Sequence, residues 1–134
     1  MFPDYAPQPG HVFCTTEEIE EGKGKDFVFR GEEKKLFLVF IVRKNEELYA
    51  YLNLCPHWGL PLNWRPGKFF TPDGQYLFCA NHAAAFQVED GFCVSGPCRG
   101  ASLLQLNIEI DADKIIMGEW PEAPDQQIGA PPAR

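Results

Sequence analysis

Leu36-Phe37-Leu38-Val39-Phe40-Ile41-Val42 is the stretch that decides how this chain folds. Uninterrupted apolar side chains leave no wet face, so the run reads as a strand buried on both sides. Lys44-Asn45-Glu46 follows as a polar turn, and Leu48, Ala50, Leu52 and Leu54 then fall on one face of a second strand. Residues 36–54 therefore read as a β-hairpin. Working outward, Lys25 to Arg30 and Tyr76 to Cys79 are further strand candidates. Leu104, Leu106, Ile108 and Ile110 alternate with Gln105, Asn107 and Glu109, the pattern of one strand with a wet face. Lys114 to Met117 is a short closing strand after the turn at Asp111-Ala112-Asp113.

Helix signals are poor. Thr15-x-x-Glu18 is a capping-box pattern, but Gly22 stops any helix after about two turns at most. Many short strands separated by Gly and Pro turns indicate an all-β fold, an antiparallel sandwich or barrel. The 134 residues suit one domain, expected over residues 1–120. Residues 1–10 hold three prolines, and residues 121–134 hold almost no large apolar side chain, so both ends read as poorly ordered tails.

The formal net charge is −7, which argues against nucleic acid and anionic membranes as partners. An acidic surface suits brief docking on a basic patch of a partner protein, although it also serves solubility alone. The longest apolar run is Leu36 to Val42, far short of the roughly 20 residues a membrane-spanning helix needs. The N-terminus has no basic region followed by an apolar stretch, so no signal peptide is read and a cytoplasmic location with reduced thiols is expected. Five cysteines, at 14, 55, 79, 93 and 98, do not form the spacing of a secreted disulfide framework.

Two short boxes hold the chemistry. The first is Cys55-Pro56-His57-Trp58-Gly59 and the second is Cys79-Ala80-Asn81-His82. Each offers one thiolate and one imidazole at the end of an expected strand, on a loop presented by a sheet. The 21 residues between His57 and Cys79 let both loops converge on one inorganic centre. Two soft thiolates with two imidazoles suit an iron–sulfide cluster or zinc. Structural zinc sites use Cys-x-x-C and His-x-x-x-His pairs more than mixed boxes, which favours the cluster. Residues two apart on an extended loop point the same way, so Cys55 and His57 can reach different irons.

These boxes resemble those of the Rieske iron–sulfur family, in which Cys-x-His and Cys-x-x-His hold a two-iron, two-sulfide cluster. Downstream, Phe86, Asp90-Gly91 and Gly96-Pro97 match the family's aromatic, Gly and Gly-Pro features, and the match runs from about Leu54 to Leu106. The resemblance implies a Rieske-type antiparallel β-sandwich with a small cluster-binding subdomain of loops. It implies one 2Fe–2S cluster on Cys55, His57, Cys79 and His82, with the Gly96-Pro97 loop covering it. It also implies a one-electron carrier rather than an enzyme, resembling Rieske ferredoxins that pass electrons from a flavin reductase to an oxygenase. Monomeric behaviour is expected. A permanently bound subunit of a larger oxidoreductase, a redox sensor and a structural zinc module are the alternatives.

The chain departs from the family in several places. Ala83 stands where the family usually has Gly after the second His, and Ala80 stands where Pro usually follows the second Cys. The quinol-oxidising relatives carry a disulfide whose positions here are Leu60 and Asn81. They also carry Ser and Tyr donors to the cluster sulfurs, which correspond here to Ala84 and Phe86. Missing donors destabilise the more negative, reduced cluster, so the resemblance implies a low potential. With three histidines, two of them in the boxes, the two-His-one-carboxylate iron site of an oxygenase cannot be built. Cys93 and Cys98 flank the Gly96-Pro97 loop, and buried free thiols are the favoured reading, with a pair across the loop as the alternative. Cys14 reads as core and His11 as surface. Trp58, Trp64, Phe69 and Phe70 lie in the spacer, as packing under the loop or as an apolar rim.

Overall fold

A computed structural model describes residues 2–56, 60–81 and 83–121. Ten strands form three antiparallel sheets among the described residues. They are β1 (Val12–Thr15), β2 (Gly24–Arg30), β3 (Leu36–Lys44), β4 (Glu47–Leu52), β5 (Tyr76–Cys79), β6 (Ala84–Gln87), β7 (Cys93–Ser95), β8 (Gln105–Leu106), β9 (Ile108–Asp111) and β10 (Lys114–Met117). The central sheet has the order β2-β3-β4-β8, a second has β1-β10-β9, and a small third has β5-β6-β7. The all-β antiparallel class expected from the sequence is the one observed.

Strand β3 is the partition between two cores. Phe40 and Val42 face one core with Tyr51, Phe69, Leu77 and Phe86. Phe37, Val39 and Ile41 face the other with Ala50, Leu52, Ile115 and Met117. This two-sided burial is why the run 36–42 has no polar position: each large apolar side chain buried there is worth about 1.5–3 kcal/mol. The hairpin closes through Asn45 and Glu46, both with positive φ (54° and 68°), as a two-residue turn requires. Their backbone N–H groups donate to the Glu21 carboxylate at 2.6 and 2.9 Å. These bonds hold that carboxyl below its usual range.

Two expectations change, and a third feature stays within its limit. The alternating stretch from Leu104 to Ile110 is not one strand but two, β8 in the central sheet and β9 in the second. Asn107 is the break: its carbonyl accepts from Gly118 N–H at 2.8 Å and its Nδ2 donates to Glu119 O at 2.9 Å. The N-terminal segment, expected to be poorly ordered, is packed. Phe2 is buried against Phe37 and Trp120, and Trp120 Nε1 donates to Pro7 O at 2.8 Å. The capping-box residues start only a single 3-10 turn, Thr16–Glu18, with Glu18 accepting from Thr15 N–H at 2.9 Å. Residues 122–134, most of the expected C-terminal tail, lie outside the described residues.

Two buried acids make the fold sensitive to alkali. Burial first, then the charge of Glu18, pushes the Cys14 thiol up to about 11. Burial also raises the Tyr51 phenol, whose hydroxyl donates to Val88 O inside the core. In each case the folded chain holds its proton more tightly than the unfolded chain. Stability is therefore full below the unfolded thiol value of 9.0 and is lost as pH rises toward about 11. Urea unfolding from pH 7 to 11 should show a flat stability to about pH 9 and a fall above it. Cys14→Ala should make the fall shallower, and equal slopes would contradict this account.

Candidate metal centre

The first box leaves β4 after Asn53, a polar side chain only 3% exposed. Asn53 Oδ1 accepts from Leu62 N–H at 2.9 Å, and its Nδ2 donates to Asn63 Oδ1 at 3.0 Å. Asn63 in turn donates to Asp26 Oδ1 at 2.9 Å, and Asp26 Oδ2 accepts from Gly67 N–H at 2.7 Å. This chain of side chains anchors the spacer to β2. The loop itself closes by Cys55 N–H to Leu60 O at 2.7 Å.

The second box leaves β5, and it is tied directly to the first loop. Ala80 N–H donates to Leu62 O at 2.7 Å. Ala83 takes φ 58°, and its N–H donates to Cys79 O at 2.9 Å. The left-handed conformation explains the family's preference for Gly at this position. Ala83 keeps the turn at a cost on the order of 1–2 kcal/mol.

Cys55 and Cys79 are 1% and 0% exposed and belong to one buried cluster with Cys93 and Cys98. Cys98 Sγ lies 3.9 Å from Cys55 Sγ and 3.2 Å from Cys93 Sγ. Cys93 and Cys98 are unbonded thiols, as favoured from the sequence, and the Cys93 thiol donates to Ser95 O at 3.2 Å. Burial first, then the neighbouring Cys93, pushes the Cys98 thiol up to about 12. His57 and His82, with Trp58 and Gly59, lie outside the described residues. Among the described residues no group of three or more His, Cys, Asp or Glu is arranged to hold a metal ion.

The Gly96-Pro97 loop packs beside the second box. Gly96 sits against Ala84 at the start of β6, so close that a Cβ on Gly96 would lie 2.7 Å from Ala84 Cα. Ala84 and Phe86 are fully buried and have no side-chain donor. Phe69 packs, stacked on Phe40 at 4.3 Å, whereas Trp64 is 75% exposed. Cys14 is core and His11 is exposed, as expected. Sequence reasoning missed Asn53, Asn63 and Asp26. Their only signal was polar residues beside the first box, which does not distinguish a bracket from a solvated loop.

The donor chemistry fits an iron–sulfide group. A lone buried thiolate is costly, and bonding to iron removes that cost. The fold and the paired loops define a class: a small antiparallel β protein that presents buried thiols from two tied loops. The chain belongs to the Rieske [2Fe-2S] domain family, whose profile matches residues 10–110. Its cofactor is one Rieske-type 2Fe–2S cluster, which when bound accepts and releases single electrons.

Solved structures agree on the fold. The ferredoxin of carbazole 1,9a-dioxygenase from Nocardioides aromaticivorans IC177 is 23% identical, with a TM-score of 0.63 over 83% of this chain and 97% of that one. The Sphingomonas yanoikuyae B1 ferredoxin is 16% identical, with a TM-score of 0.61 over 82% and 98%. A chain in the complex of reduced oxygenase and oxidized ferredoxin in carbazole 1,9a-dioxygenase is 20% identical, with a TM-score of 0.64 over 87% and 99%. No curated protein matches the chain in sequence. Among the described residues no helix is long and apolar enough to cross a membrane.

Proposed function

We propose that this chain is a cytoplasmic, monomeric Rieske ferredoxin, a one-electron carrier and not itself an enzyme, folded as one domain over residues 1–120. Its cluster is held by Cys55 and Cys79 on one iron and by His57 and His82 on the other. It takes electrons from a flavin reductase and passes them to an oxygenase. The observation that supports this most is the pair of buried thiols on loops tied by the Ala80–Leu62 hydrogen bond. They stand at Cys-x-His and Cys-x-x-His spacing. The likeness to ferredoxins of carbazole 1,9a-dioxygenase, covered almost end to end, supports the assignment of an oxygenase partner. Three histidines leave no second iron site for oxygenase chemistry.

Ala84 and Phe86 set the expected potential. Rieske centres span roughly −150 to +300 mV. Without hydroxyl donors at these two positions the reduced cluster is less stabilised, which places this centre in the lower half of that range. Purified protein should contain about two irons and two sulfides per chain and titrate as a one-electron couple. It should also be reduced by a nicotinamide-fed flavin reductase and reoxidised by a Rieske-dependent oxygenase. A colourless zinc protein would refute the cluster, and a midpoint above about +150 mV would refute the low-potential carrier.

A further inference from the structure

Asn81 lies between the two ligand candidates of the second box, and its side chain is held from several sides. Trp64 Nε1 donates to Asn81 Oδ1 at 2.9 Å. Asn81 Nδ2 donates to Pro61 O at 2.7 Å and to Cys79 Sγ at 3.7 Å. An indole N–H can only donate and a peptide carbonyl can only accept, so the two strong bonds fix which end of the amide is which. One Nδ2 hydrogen is committed to Pro61. The other is left directed at the sulfur of Cys79.

We infer that Asn81 is a built-in hydrogen-bond donor to the Cys79 sulfur that stabilises the reduced cluster, with Trp64 as the residue that positions it. The inference rests on the Rieske assignment above. A ligand thiolate is an anionic acceptor, and hydrogen bonds to charged groups are the stronger ones. Reduction adds negative charge to the centre, so the bond is worth more in the reduced state and raises the potential. Asn81 occupies one of the two positions that hold the disulfide in quinol-oxidising relatives, so the same place in the loop is used differently here. Trp64 is 75% exposed and contributes little to the core. Its indole spans from the spacer to the second box, closing the amide's other side. Cys98 also approaches a ligand sulfur, Cys55, but a thiol is a weak donor and the separation is 3.9 Å.

The test is a redox titration of the cluster-loaded protein and its variants. Asn81→Ala should lower the reduction equilibrium constant about tenfold, about 59 mV for a one-electron couple. Trp64→Phe keeps an aromatic side chain but removes the indole N–H donor. It should lower the midpoint in the same direction by a smaller amount, with iron and sulfide content unchanged. The visible charge-transfer bands should shift in both variants, which a role confined to loop packing would not produce. Unchanged midpoints in both variants at full cluster content would overturn the inference and leave the Rieske reading standing. A shift in Asn81→Ala alone would keep the donor and overturn the positioning role of Trp64. Should Asn81→Ala not load, the sign of the Trp64→Phe shift decides. Wild-type protein that lacks iron and sulfide would instead overturn the underlying assignment.

Discussion

Cys79→Ser is expected to give colourless protein, with iron and sulfide falling from about two of each per chain to near zero. Cys79 ends β5, is fully buried, and pairs across the ladder with Ala84. A serine hydroxyl is a hard, weakly acidic donor and does not replace a thiolate on iron. Cys55→Ser, His57→Ala and His82→Ala should give the same loss. Because binding and folding are linked, unfolding should also move down by several kcal/mol, on the order of 10–20 °C in Tm. Two of the three controls, at Cys93 and Cys98, lie in the same core, and Cys14 lies in the other. Cys93→Ser and Cys98→Ser should keep the cluster, and Cys14→Ala should too. Iron and sulfide analysis with visible spectra of the seven variants checks this. If Cys93 or Cys98 proved essential and either histidine dispensable, the ligand set would be wrong.

Gly96→Ala should be the most damaging substitution outside the ligand set. Gly96 has φ +99°, and an added Cβ would lie 2.7 Å from Ala84 Cα and 3.2 Å from Ala84 N. Those are backbone atoms at the start of β6, so no flexible side chain can yield. The loop must lift, uncovering the second box and the thiols beneath it. Strained backbone and clash together should cost about 2–4 kcal/mol and lower Tm by about 5–15 °C. Cluster bleaching in air should quicken as well. Gly74→Ala separates the two causes: Gly74 has φ +74° but nothing within 4 Å of an added Cβ. It should cost only the backbone term, about 1 kcal/mol, and leave bleaching unchanged. Equal behaviour of the two variants in melting and bleaching would mean that the loop does not seat on Ala84.

The sequence by itself determined the elements whose cause is local. The apolar run 36–42 had to be a strand wet on neither side, and β3 is buried on both. The boundaries of β5 and β10 follow from short apolar segments between turns. The cysteines of the two boxes were legible because metal ligation demands residue type at fixed spacing. His57 and His82 are proposed from that spacing alone, since they lie outside the described residues. What the tertiary structure decided is everything that depends on residues distant in the chain. Period-two alternation from 104 to 110 says which side chains share a face, not that Asn107 hands the chain from one sheet to another. A Pro-rich start says nothing of Phe2, which is ordered by Phe37 and Trp120 across the whole domain. The same holds at the site. The bracket of Asn53, Asn63 and Asp26, the seating of Gly96 on Ala84, and the aim of Asn81 at Cys79 are juxtapositions. Hydrogen bonds and close contacts act over a few ångströms, and only the folded chain brings those partners within reach.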